Sequence, residues 1–127
     1  MSVDNTALVE QYLRYYNEKN VDAMMELFAD EVVFESVSNT SGVTRTNGKE
    51  ELRQLAGMSA EWFEQRRQRP LAWVVDDAHV AVEIEYWCRL AKDLPDGRKK
   101  AGEEMALRGA SFFTIRDGHI SRLVDYM

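Results

Sequence analysis

Residues 8–34, LVEQYLRYYNEKNVDAMMELFADEVVF, constrain the fold more than any other stretch of the chain. Leu8, Val9, Tyr12, Leu13 and Tyr16 recur at the spacing of a helix lying against an apolar surface. The polar break Asn17–Asn20 follows, and Val21, Met24, Met25 and Phe28 then begin a second apolar face. After Ala29-Asp30-Glu31 the run Val32-Val33-Phe34 changes character to strand. Helices are expected over residues 6–18 and 21–29. Asp4, Asn5 or Thr6 caps the first, and Asn20 the second. Residues 1–5 are expected to fray. Helices this short are not stable alone and must pack together or on a sheet.

The rest of the chain supplies that sheet. VVFESV, residues 32–37, reads as a first strand, and the turn-rich SNTSGVTRTN as a mobile loop or irregular hairpin. Asn47 with Glu50 resembles a capping box opening a third helix over 48–66, with Leu52, Leu55, Ala56, Ser59 and Phe63 on its buried face. Pro70 bounds that helix. Strands follow over 71–75, 79–90, 103–116 and 119–127, with a polar connection at 91–102 that carries the turn Pro95-Asp96-Gly97. Asp117-Gly118 is a hairpin signal. Helices segregated to one face of an antiparallel sheet make an α+β architecture, with a curved sheet whose concave side is covered or left as a cavity.

The 127 residues suit a single domain spanning 1–127. The net charge of -6 disfavours nucleic acid and anionic membranes as partners. Cys88 is the lone cysteine, so no intrachain disulfide forms. No signal peptide and no run of about 20 apolar residues is present, and a cytoplasmic location follows by default.

Hairpin arithmetic gives a testable register. With a two-residue turn at Asp117-Gly118, Arg116 faces His119, Thr114 pairs with Ser121, Phe112 with Leu123 and Ala110 with Asp125, and Arg108 lies opposite Met127. Ser121, Leu123 and Asp125 then share a face with Thr114, Phe112, Ala110 and Arg108, and one bulge would exchange the faces. On the preceding strand Glu83, Glu85, Trp87 and Arg89 share one face, and Val82, Ile84, Tyr86, Cys88 and Leu90 the other. Either the glutamates face solvent, or Glu83 or Glu85 enters a cavity with Asp125. In a partly dry cavity such acids raise one another's proton affinity, and Arg108 would keep one of them ionised.

Tyr12 and Tyr16 are either core aromatics or donors to a substrate oxygen. Trp62, Phe63, Trp73 and Trp87 line an apolar pocket or serve as core or subunit contacts. His79 and His119 stand beside turns, are expected to be exposed, and have no metal-ligand spacing with the cysteine. No nucleotide-binding glycine motif and no GxSxG is present. Arg66-Arg67-Gln68-Arg69 reads as a solvated helix end suited to the helix dipole. Cys88 reads as a buried thiol.

Tyr12, the segment Asn17–Asp22, Leu27-Phe28-Ala29-Asp30-Glu31-Val32-Val33-Phe34 and the closing Asp117-Gly118-His119-Ile120…Asp125-Tyr126 resemble the SnoaL-like branch of the nuclear-transport-factor-two-like superfamily. The resemblance implies a cone-shaped α+β barrel, a curved antiparallel sheet wrapped on three helices around an apolar pocket, and homodimers through the sheet. That family includes ketosteroid isomerases, polyketide cyclases, limonene epoxide hydrolase, dehydratases and non-catalytic members. Tyr12 matches the isomerases' oxyanion-hole tyrosine, but their general base falls at Ser36 and their second oxyanion donor near Ser111, so steroid isomerisation is not implied. Asp125 matches the acid before tyrosine that serves in acid–base catalysis in the epoxide hydrolases and cyclases. Their Arg-x-Asp pair corresponds to Glu83 and Glu85, without the arginine unless Arg108 supplies it from the next strand.

The expectation is a binder of a small apolar or aromatic molecule, with Tyr16, Phe28, Phe34, Trp62, Phe63, Trp87, Phe112 and Leu123 lining its pocket. As an enzyme it would use Asp125 as general acid or base, Glu85 or Glu83 as its partner and Tyr12 or Tyr16 as the oxygen-directed donor. The reaction would be enolisation, aldol cyclisation, dehydration or epoxide hydration without cofactor or metal. The alternative is a non-catalytic ligand carrier or dimerising domain.

Overall fold

Helix α1, Asn5–Asn17, buries Val9, Tyr12 and Leu13. At Lys19 the backbone adopts a positive φ and the chain reverses. Asn20 then caps α2, Val21–Glu26, its Oδ1 accepting from the Ala23 amide at 3.2 Å. These elements come from a computed structural model that describes residues 5–127. The fraying expected at 1–5 falls outside that range except for Asn5, which is buried and donates through Nδ2 to the Asp77 carbonyl at 3.0 Å.

The second helix is shorter than its apolar periodicity suggests. It stops at Glu26, and Phe28 already begins strand β1, Phe28–Ser38. The turn-rich segment after it is a hairpin arm, β2, Gly42–Asn47, paired antiparallel with β1. Helix α3, Lys49–Glu61, opens on Gly48 at φ 88° rather than on Asn47, and Glu51 rather than Glu50 reaches back to the Asn47 amide, at 3.0 Å. It ends at Glu61, not near residue 66, and the chain enters β3, Phe63–Val75. The arginine-rich run therefore lies in a strand. Pro70 sits at an irregularity of β3, which is an edge strand and tolerates the missing N–H there.

Strands β4, His79–Leu90, β5, Glu104–Arg116, and β6, His119–Tyr126, complete the sheet. The spatial order is β2-β1-β6-β5-β4-β3, a six-stranded sheet that curves without closing. Every neighbouring pair is antiparallel except β1 with β6, which run parallel, so the sheet is mixed. The first strand, made before the crossover through α3 and the long meander, lies alongside the last strand and runs in the same direction. The three helices lie on the concave face, and the core forms between: Val9, Tyr12, Met25, Phe28, Val82, Ile84, Phe113 and Leu123 are all buried there. The Asp117-Gly118 turn has positive φ at both residues, 53° and 75°, as a tight hairpin requires.

Two residues past that turn the expected register fails. Arg116 faces His119 and Ile115 faces Ile120, but Thr114 faces Arg122 because Ser121 is an extra residue on β6. Beyond this bulge Phe113 pairs with Leu123 and Ser111 with Asp125. Phe113 is buried and Phe112 points outward, 46% exposed, against Tyr126. Among the described residues no helix is long and apolar enough to cross a membrane.

Candidate active site

Between the helices and the concave face lies a cavity of about 360 Å³. Tyr12, Phe28 and Leu123, all buried, form its floor, and the exposed Thr44, Leu107 and Met127 stand at its mouth. Phe34, Phe63, Leu55 and Met105 add apolar wall. The polar groups are few: Tyr12, Tyr16, Tyr86, Ser36, Ser59, Thr44, Arg66 and Asp125.

Among the described residues Asp125 is the one carboxylate side chain in the lining. Strand pairing sets Ser36 on one side of it and Ser111 on the other. Ser111 Oγ donates to Asp125 Oδ1 at 2.6 Å, the short distance of a charge-assisted bond. Asp125 retains some accessible surface, but that surface faces the cavity, and protein surrounds it elsewhere. Burial raises its pKa from 3.8 to about 6, and the Ser111 bond opposes that rise.

Tyr12 packs edge-on to Phe28 and Phe113, with ring centroids 5.7 and 5.5 Å away. Its hydroxyl has no hydrogen-bond partner among the described residues. Burial holds its proton most strongly, the Asp125 charge adds to that hold, and Arg66 offsets part of it. The group is a hydrogen-bond donor, not a base. Tyr16 and Tyr86 share a hydrogen bond at 3.0 Å, and burial raises both pKa values. Cys88 lines the wall and is buried, its thiol pushed up by burial.

Several residues expected at this site lie elsewhere. Glu83, Glu85 and Trp87 occupy the convex face of β4, because Val82, Ile84, Tyr86 and Cys88 take the concave side. Glu85 pairs with Arg69 at 2.8 Å, which lowers its pKa, and Glu83 with Arg108 at 3.6 Å. Arg108 therefore neutralises a surface glutamate and does not reach Asp125's cavity. Trp87 donates to Glu104 at 2.8 Å on that outer face. Phe112 lies outward by the alternation of β5, and the Ser121 bulge in β6 is what puts Leu123 and Asp125 on the side of Phe113 and Ser111 instead. Trp62 ends α3 under Lys92 and is absent from the cavity wall. Tyr12, Tyr16, Phe28, Phe34, Phe63, Leu123 and Asp125 do line it. His79 and His119 are exposed. Among the described residues no three His, Cys, Asp or Glu side chains gather as metal ligands would.

Arg66 is the lining residue that hydrophobic patterning missed. It lies on a strand where Arg66 and Gln68 turn inward and Arg67 and Arg69 outward. The six polar residues in a row, Glu64–Arg69, give apolar periodicity nothing to register, although burial alternates from Gln65 to Arg69.

A family model described as a SnoaL-like domain matches residues 9–123. Comparison with curated proteins returned no match. Among solved structures, a candidate polyketide cyclase from Xanthomonas campestris pv. campestris superposes with TM-score 0.80 at 23% identity, covering 96% of this chain and 88% of that one. A candidate polyketide cyclase from Streptomyces antibioticus gives 0.81 at 13% identity, covering 97% and 91%. An LEH-like epoxide hydrolase from M. tuberculosis gives 0.74 at 18% identity, covering 94% and 79%. At these identities the likeness is one of fold.

Proposed function

The chain belongs to the SnoaL-like domain family, and from that premise we propose that it is a cofactor-independent enzyme that abstracts a proton beside a carbonyl of a small apolar substrate. The observation that carries this reading is Asp125: a single carboxylate of raised proton affinity, held by Ser111 and facing an apolar cavity. A carboxylate poised near pH 6 is a far better base than an exposed one, yet ionises at neutral pH. In the forward step Asp125 takes the proton from carbon, and the C–H electrons form an enolate whose oxygen accepts from the Tyr12 hydroxyl. The enolate then either regains a proton at another carbon or attacks a second carbonyl of the same molecule. In that second case the new alkoxide takes the proton that Asp125 carries, and an aldol ring closes.

Epoxide hydration is less well supported. It asks for a second acid beside the base, and Glu83 and Glu85 are paired with arginines on the convex face. The candidate cyclases of similar fold agree with the enolate reading in chemistry class.

The test is deuterium uptake by 2-tetralone and related enolisable bicyclic ketones in D2O, followed by proton NMR. The wild-type protein should speed exchange at the carbon beside the carbonyl, and Asp125→Asn should abolish that acceleration. Equal acceleration by both proteins would reject Asp125 as the base, and no acceleration by either would leave a ligand-binding protein.

A further inference from the structure

Arg66 is the one charged side chain among the fully buried described residues, at 4% exposure. It is also the only lysine or arginine in the cavity lining. Its Nε donates to the Tyr16 carbonyl at 2.9 Å, a last-turn carbonyl of α1 that also accepts from the Lys19 amide at 3.0 Å. Its guanidinium carbon lies 3.6 Å from the centre of the Tyr16 ring. These contacts occupy one N–H and one face of the fork. Nη2 is buried with no hydrogen-bond partner, and no carboxylate pairs with Arg66 among the described residues.

A guanidinium does not shed its proton. Burying one without a counter-charge is costly, and proteins normally pair it. Clamping α1 to β3 requires only the Nε bond and the ring contact, which leaves the far edge of the fork unexplained. Of that edge Nη2 is shut off, which leaves Nη1 as the group that can meet a carboxylate in the cavity. Asp125 lines the same cavity, and no ion pair joins it to Arg66 among the described residues. Tyr12 and Tyr16 feel Asp125 and Arg66 in opposite senses, whereas burial raises the proton affinity of Asp125 and the Ser111 bond lowers it. Arg66 stacks on the Tyr16 ring, Tyr12 packs beside Tyr16 with ring centroids 6.1 Å apart, and both tyrosines, Arg66 and Asp125 line the same cavity.

We propose that Arg66 is an anion subsite, and that the ligand of this cavity is an apolar or aromatic carboxylic acid whose carboxylate accepts from the Nη1 group of Arg66. The body of the acid then extends past Tyr16 and Tyr12 towards Asp125. One cation suits one negative charge. A phosphate ester would bring a second with nothing in the lining to meet it. The proposal rests on the preceding reading only in that the cavity takes a small molecule, and it does not require Asp125 to move a proton.

The test compares 2-naphthoate with 2-naphthamide, which match in shape and differ in charge, by calorimetric titration at about pH 8. Wild-type protein should bind the acid roughly tenfold or more tightly than the amide. Arg66→Met should lose that preference, and Asp125→Asn should keep it while losing ketone exchange. The proposal is overturned if wild type binds the amide as well as the acid or binds neither, or if Arg66→Met retains the preference. Should Arg66→Met not fold, the wild-type protein decides: its Arg66 side-chain N–H resonances must shift with naphthoate and not with naphthamide, and unmoved resonances overturn the assignment. Loss of exchange alone leaves this subsite standing, and loss of charge preference alone leaves the proton-transfer reading standing.

Discussion

Replacing Asp125 by asparagine removes a charge and almost no volume, and it should make the protein more stable at neutral pH. In the folded chain the carboxyl pKa rises from 3.8 to about 6, chiefly by burial. A raised folded value means that the folded state holds the proton more tightly than the unfolded state does, so ionisation opposes folding. Below the ordinary value the group is neutral in both states and has no effect. Between the two values stability falls as pH rises, and above about 6 the full penalty is present. At 1.36 kcal/mol per pH unit the penalty is about 3 kcal/mol. Asparagine does not ionise, and its Oδ1 can accept the Ser111 hydrogen bond. The variant should match wild type near pH 4 and exceed it by about 2–3 kcal/mol near pH 8, or roughly 10 °C in Tm for a chain of this length. Urea titrations of both proteins at a series of pH values, read by tryptophan fluorescence, give the difference directly. Titration of the other carboxylates cancels between the two curves. A difference that does not change with pH, or a variant less stable at pH 8, would refute the claim that Asp125 is ionised against the preference of its surroundings. The expected result, greater stability with no proton transfer, is the trade-off of a site held in a state that folding disfavours.

Other measurements bear on the same geometry. Ser111→Ala removes a donor to the ionised carboxylate, so the pH midpoint of ketone exchange should move upward, and an unchanged midpoint would show the 2.6 Å bond to be inconsequential. Tyr12→Phe should slow exchange roughly a hundredfold with stability nearly unchanged, since its hydroxyl has no hydrogen-bond partner to lose among the described residues. Alternation in β5 puts Phe113 in the core and Phe112 outside: Phe113→Ala should cost about 3–5 kcal/mol in a denaturation experiment, and Phe112→Ala about 1 kcal/mol or less. Equal effects would contradict the register.

The fold was largely legible because its signals are of the kind that burial writes into a sequence. Val80, Val82, Ile84, Tyr86, Cys88 and Leu90 alternate without a fault and are all buried on one side of β4. Asn20 and Asp117-Gly118 mark their turns by local chemistry alone. What stayed hidden depended on long-range pairing. Nothing in His119-Ile120-Ser121 announces an extra residue, yet that residue moves Asp125 from opposite Ala110 to opposite Ser111 and gives the carboxylate its donor. The glutamates of β4 were ambiguous only in so far as chemistry was sought there. Arg69 and Arg108, from strands on either side, hold them outside. Arg66 was read as part of a solvated helix end because its neighbours are polar. Its burial follows from an early end to α3 and the pairing of β3 with β4, neither of which leaves a local mark.

The parallel contact of β1 with β6 also has a kinetic side. The hairpin of β5 and β6 closes a turn of two residues, whereas Ser36 meets Asp125 only after nearly the whole chain has been gathered. Closing so long a loop is entropically slow, and contacts of this kind are made late in folding. The row Ser36, Asp125, Ser111 should therefore be completed after the barrier is crossed, with φ-values near zero at Asp125 and higher ones in β4 and β5. A base disfavoured by its surroundings would then burden the finished protein and speed its unfolding, while leaving the rate of folding almost untouched.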